Sequence, residues 1–171
     1  MRVASWNMKQ AVAPKRPLDD LWRWAGDEIN ADVMVLTEAR VPKSGPPPGW
    51  TAVWRSGGIG PRRTWGTVVA AHGVDLVEVS SVQIGRSAVR LDFTWPGVVV
   101  VADVVHRGER WATVVGLYGL TVDGENNSCG HGRFSSKRLL RELAPLFESD
   151  RSDRIVVAGD LNLWPAEVPP I

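Results

Sequence analysis

Two periodicities alternate along the chain. Val3 to Met8 reads as a short strand, and the basic, proline-containing stretch from Lys9 to Pro17 reads as a loop. Leu18, Leu21, Trp22, Ala25 and Ile29 then recur at helical spacing, with Asp19 and Asp20 near the positive end of the helix dipole. A helix with its apolar face turned inward is predicted over 18–29. After Asp32, the run Val33-Met34-Val35-Leu36-Thr37-Glu38 lacks alternation, which suits a strand covered on both faces. Glu38 stands at its C-terminal end.

A Pro/Gly-rich loop from Pro42 to Gly49 separates this opening from a series of strand-like pieces: Trp50–Arg55, Trp65–Ala71, Val74–Ser80, Ala88–Phe93, Val98–Val105 and Trp111–Leu117. Turn residues punctuate them at Gly57-Gly58, Gly73, Gly85, Pro96-Gly97 and Gly108, so a meander of mostly antiparallel strands is predicted. A polar, Gly- and Asn-rich loop from Asp123 to Gly132 follows. Phe134, Leu139, Leu140, Leu143, Leu146 and Phe147 then give a second amphipathic helix, and Ile155-Val156-Val157-Ala158 one more buried strand. This order lacks the regular alternation of a doubly wound domain and predicts a layered α/β sandwich. The last nine residues, Leu163 to Ile171, include three prolines and add no predicted element.

Composition changes the picture little. With 171 residues, 44% hydrophobic, and no repeat, low-complexity tract or linker, one domain over 1–171 is expected. Twenty Lys plus Arg against nineteen Asp plus Glu leave a net charge of +1, without the basic excess of a dedicated nucleic-acid binder. The single cysteine, Cys129, cannot close an intrachain disulfide and has no metal-spaced partner. The N-terminus carries no signal-peptide pattern, and the longest apolar stretch, Val98–Val105, is interrupted by Asp103 and far short of the roughly 18 residues of a membrane span. A soluble, cytoplasmic protein without a membrane partner is expected.

The chemistry sits where apolar runs stop. Gly159-Asp160-Leu161-Asn162 puts a carboxylate and an amide two positions apart at a strand end, on one face if the chain stays extended. Taken alone, this is equally a turn, since Gly, Asp and Asn are the usual turn formers. Asn7 ends the first strand, Glu38 the second, and Tyr118 the strand through Val114-Val115-Gly116-Leu117. Each has a plain structural reading, but together they place several polar groups on one rim. Arginines and tryptophans interleave in Trp50–Arg55 and in Pro61-Arg62-Arg63-Thr64-Trp65, which reads either as a strand pair with core tryptophans and a basic tip or as a track for a nucleic-acid backbone with stacked bases. His72, His106 and His131 lie beside or near loop glycines, as surface histidines do. No P-loop, G-x-S-x-G elbow, His-Glu-x-x-His or cysteine pair for zinc occurs.

Across its whole length the chain resembles the endonuclease/exonuclease/phosphatase superfamily, which contains deoxyribonuclease I, the exonuclease III type repair endonucleases and several lipid and inositol phosphate phosphodiesterases. Ser5-Trp6-Asn7 is similar to its opening strand with a metal-site Asn, and Asp32 to Glu38 to the strand ending in its metal-binding Glu. Trp65-Gly66-Thr67-Val68-Val69 resembles the segment entering the central sheet, Val114 to Tyr118 the strand with a phosphate-contacting Tyr, and Gly159 to Asn162 its Gly-Asp-Phe/Leu-Asn signature. The resemblance implies an α/β/β/α sandwich and hydrolysis of phosphodiesters, in DNA or RNA above all. It implies Mg²⁺ (or Mn²⁺) on Glu38 and Asn7, catalysis by Asp160, Asn162 and Tyr118, and phosphate contacts from Arg63 and Arg133.

A non-catalytic phosphate-ligand or protein-binding module, and a phosphatase for lipid or sugar phosphates, are the alternatives on the same fold. Thr37 stands where relatives often carry Gln, and Gly119 where a Pro is common. Family members run to roughly 250 residues and finish with a Ser-Asp-His segment that does not occur here. A C-terminally truncated sandwich, with impaired turnover and marginal stability or association, is therefore expected. His131 is the nearest substitute for the absent His.

Overall fold

The computed structural model describes residues 1–9, 17–56, 64–120 and 135–162. Val3–Asn7 forms β1, Leu18–Trp24 helix α1, Val33–Ala39 β2, Trp50–Ser56 β3 and Gly66–His72 β4. These strands make one sheet in the order β1-β2-β4-β3, with β1 parallel to β2 and the other pairs antiparallel. Asp75–Glu78 is β5, Ser81–Ile84 β6, Ser87–Arg90 β7, Val99–His106 β8, Glu109–Tyr118 β9 and Ile155–Asp160 β10. A second sheet runs β10-β9-β8-β5, β10 being parallel to β9, and β6 pairs with β7 as a separate hairpin.

The continuous apolar runs are explained by layers on both faces of each sheet. Strand alternation sends Val33 and Val35 one way and Met34 and Leu36 the other. The first pair joins Val69, Ala71, Val100, Ala102, Val104 and Val114 in the core between the sheets. The second pair packs with Trp22, Ala25, Val68 and Ala70 beneath the first helix. On the far side, Val99, Val101, Val115 and Leu117 pack against Leu139, Leu143 and Leu146. These leucines belong to or adjoin helices α2 (Ser135–Glu142) and α3 (Ala144–Phe147). The molecule is an α/β/β/α sandwich of mostly antiparallel strands, in keeping with the layered α/β sandwich that the patterning predicts and the layer order that the resemblance implies. Among the described residues no helix is long and apolar enough to cross a membrane.

Three elements differ from the sequence reading. The first helix does not run unbroken to Ile29: past Trp24 it widens into a π-turn, Ala25–Ile29, closed by Asn30 in the left-handed conformation. Gly26 and Asp27, both weak helix formers, lower the cost of leaving the α geometry there. The second helix divides at Leu143, because Pro145 has no N–H for the bond to Arg141 and its ring crowds that carbonyl. The strand β6 escapes notice because Ser81-Val82-Gln83-Ile84 is short and half polar, and only Val82 is buried.

Asp103, the one charge inside the β8 run, is 7% exposed and points to the helix side. It accepts hydrogen bonds from Thr113 Oγ1 at 2.6 Å and from Arg151 Nη2 at 3.0 Å, with Arg151 Nε bridging both carboxylate oxygens. Burial works against the Arg151 charge, but Asp103, helped by Asp150, outweighs it and holds this guanidinium above its ordinary pKa. The pair ties the turn before β10 to the second sheet. Removing Arg151 leaves the buried Asp103 carboxylate without its counter-charge, typically costing about 3–5 kcal/mol, whereas removing Asp103 leaves Arg151 still paired with Asp150.

Candidate functional site

β1 and β10 are the outer strands of their sheets and lie side by side, so the C-terminal ends of β1, β2, β9 and β10 meet on one rim. The two parallel pairings make this possible, since they put Asn7 level with Thr37 and Asp160 level with Tyr118. Asn7 Nδ2 donates to Asp160 Oδ2 at 2.9 Å and, at 3.3 Å, to Glu38 Oε1. Tyr118 Oη donates to the same Glu38 oxygen at 2.8 Å. Four side chains from four strands, as much as 153 positions apart, thus form one hydrogen-bonded cluster.

Glu38 reaches this cluster only because β2 is irregular. Strict alternation would turn Glu38 to the helix side with Leu36. Instead β2 carries one extra residue against β4 between Leu36 and Ala39, and Glu38 adopts φ 47°. That bulge re-aims the carboxylate toward Tyr118 on the opposite sheet. A left-handed backbone at a non-glycine residue costs about 1–3 kcal/mol and is the kind of strain found at functional sites. Glu38 is 9% exposed, and its Oε2 is buried without a hydrogen-bond partner among the described residues, as is Thr37 Oγ1.

The other predicted residues fall into two groups. Asn162 lies next to the cluster but turns away from it. With φ 47° it is not extended, its Nδ2 donates to Gly119 O at 2.7 Å, and its backbone N–H donates to Asp160 Oδ1 at 3.2 Å. It braces the Asp160 loop from below. Arg63, Arg133, His131 and Cys129 lie outside the described residues. His72 sits at the opposite end of the first sheet, its ring 5.3 Å from Trp50, and His106 stacks on Trp111 at the far end of β8. Neither joins the site.

Two contributors were not picked out as such in the sequence. Trp65 meets the Tyr118 ring edge-on, with centroids 5.4 Å apart, and fixes its direction. Gly119 donates its N–H to Asp160 O at 2.7 Å while accepting from Asn162. A Cβ there would stand 2.1 Å from Leu161 O, so the position where a Pro was anticipated admits only glycine. The crowding between two loops is the signal, and it is tertiary.

The site's donors suit a hard cation. Glu38 presents a buried oxygen with nothing bonded to it, Asp160 a second carboxylate, and Asn7 an amide whose oxygen accepts from Lys9 N–H at 2.8 Å. Among the described residues no group of three or more His, Cys, Asp or Glu is placed to hold a metal. The unpartnered Glu38 oxygen beside a second carboxylate and an amide fits an ion that takes few protein ligands and keeps its waters, as Mg²⁺ does.

No protein-family model and no curated protein matches the chain. Among solved structures, it is similar to the endonuclease domain of TRAS1, a telomere-specific non-LTR retrotransposon. The identity is 16% and the TM-score 0.59, over 96% of this chain and 62% of that one. It is similar to a humanized D. rerio TDP2 carrying 14 mutations, with 16% identity and a TM-score of 0.56 over 98% and 64% of the two chains. The 3'-5' exonuclease NExo from Neisseria meningitidis shows 19% identity and a TM-score of 0.51 over 96% and 59%. This chain spans less than two thirds of each of these proteins. The likeness shows that it has a deoxyribonuclease I-like fold.

Proposed function

We propose that this chain carries a metal-dependent phosphoester hydrolase site that cleaves phosphodiester bonds, with nucleic acid as its substrate class. The observation that carries the reading is the convergence of Asn7, Glu38, Tyr118 and Asp160 on one rim, with Glu38 held there by a strained bulge. The nuclease names of two of the similar structures support the substrate class.

Glu38, through its unpartnered buried oxygen, and Asn7 beside it are the residues that would hold Mg²⁺ or Mn²⁺. When bound, the ion supplies positive charge to the phosphoryl oxygens and to the water around it. Asp160 is oriented by two donors, Asn7 Nδ2 and the Asn162 N–H, and takes the proton of the attacking water as the new O–P bond forms. The P–O bond to the leaving group breaks on the opposite side, and that oxygen takes its proton from solvent. Tyr118 holds Glu38 through its hydroxyl and lies level with Asp160, and it would contact the phosphate as charge builds. Asn162 keeps the Asp160 loop closed on Gly119. Arg63 and Arg133 remain as proposed phosphate contacts outside the described residues.

The test is hydrolysis of bis(p-nitrophenyl) phosphate by the 171-residue chain, in Mg²⁺ and in EDTA. Release of p-nitrophenolate that rises with Mg²⁺ and stops in EDTA is expected. Binding of phosphodiesters without any turnover would instead indicate a binding module on the same fold.

A further inference from the structure

A groove opens immediately beside the site on the helix face of the first sheet. It has a volume of about 410 Å³, and Ala39, Arg40, Lys43, Trp54, Arg55 and Thr64 are among its walls. Ala39 follows Glu38 directly, and Thr64 precedes the Trp65 whose ring meets Tyr118 edge-on, so two of the groove's walls are chain neighbours of the four-strand cluster and of the ring packed on it. Three of the described lining residues are cationic and none is acidic. Arg55 is paired with Glu78 at 2.7 Å just outside, whereas Lys43 is exposed and has no ion-pair partner among the described residues.

Trp54 decides what kind of anion fits. Along β3, alternation puts Trp50, Ala52 and Trp54 on one face. Trp50 and Ala52 pack into the cluster beneath the first helix, where the indole of Trp50 lies against Gly26. Trp54 lies beyond that cover, bordered by Leu18 at the start of α1, and stays 48% exposed. The two readings of the Trp/Arg segment therefore divide by residue: Trp50 is a core ring, and Trp54 is an open aromatic face among cations. A flat π-surface beside the Lys43 charge matches an unpaired base on a phosphodiester backbone. A duplex would not present a base face to it.

We infer that this groove holds the unpaired nucleic-acid strand that flanks the scissile phosphate, with one base stacked on Trp54 and the backbone running along Lys43 and Arg40. The assignment rests on the phosphodiester reading of the adjacent site and deepens it to single-stranded substrate.

Fluorescence anisotropy in EDTA, where no cleavage occurs, tests it with two labelled strands of equal length, an oligothymidylate and an abasic phosphodiester. The parent chain binds the oligothymidylate more tightly. Trp54→Ala weakens oligothymidylate binding on the order of 10-fold and abasic binding by less than about twofold. Lys43→Gln weakens both and lowers the slope of log K against log salt by about 0.7, the share of one phosphate contact on a single strand. Absence of binding by the parent, equal losses on the two strands from Trp54→Ala, or an unchanged salt slope in Lys43→Gln would each overturn the inference. The readouts separate the two proposals: phosphodiester hydrolysis can fail while strand binding still tracks Trp54, and hydrolysis can persist while the Trp54 effect is missing.

Discussion

Asp160→Asn is expected to lower Mg²⁺-supported phosphodiester hydrolysis about 10²- to 10⁴-fold, the range for loss of a general base. The substitution is nearly isosteric. The amide retains an oxygen for one of its two present donors, Asn7 Nδ2 or the Asn162 N–H, and so preserves most of the local structure. What it loses is the capacity to take a proton. A melting temperature within a few degrees of the parent, alongside a collapse of kcat, is therefore the expected pair of readings. Hydrolysis within about threefold of the parent would remove Asp160 from the chemistry and leave it a bracing role only.

Gly159→Ala is expected to cost more than about 4 kcal/mol, in the exceptional range for a single substitution, and to abolish cooperative unfolding at ordinary temperature. Gly159 sits within the parallel ladder at φ 143°, in the region that only glycine enters freely. A Cβ there would stand 1.9 Å from Leu117 O, so the neighbouring strand itself would have to move. The displaced segment is the one that brings Asp160 level with Tyr118. Gly85→Ala is the matched control: it also has positive φ, at 59°, but nothing lies within 4 Å of the added carbon. It should cost only the backbone strain, about 1–2 kcal/mol. Urea denaturation of both variants checks the contrast, and similar midpoints for the two would show that the close approach at Gly159 is not limiting.

Much of this architecture was legible because two-sided burial writes continuous apolar runs. Val33 to Leu36 and Val98 to Ala102 announce themselves as buried strands, and the polar residues that end such runs announce a rim. The fold class follows from the order of the elements, and the meeting of Asn7, Glu38, Tyr118 and Asp160 from reading strand ends together. The bulge at Glu38 was not legible, since it arises from the offset between Leu36 and Ala39 against β4 and leaves no mark in the local sequence. For the same reason Asn162 was read as sharing a face with Asp160, when its left-handed backbone turns it to Gly119. Local spacing assumes extended chain, and functional strand ends are where that assumption breaks. The split of the Trp/Arg segment between core Trp50 and exposed Trp54 likewise depends on where the first helix begins its cover, which periodicity does not specify.

The cation site itself is best examined by thermal melting of the 171-residue chain in Mg²⁺ and in EDTA, with Glu38→Gln beside the parent. At Mg²⁺ about tenfold above its dissociation constant, a single native-state site adds about 1.4 kcal/mol, or about 3–6 °C for a domain of this size. The parent should show that rise and Glu38→Gln should not, because the variant keeps the shape of the side chain but replaces the charged, unpartnered carboxylate oxygen with an amide. An equal rise in both, or none in the parent, would contradict a divalent-cation site at the meeting of the four strands.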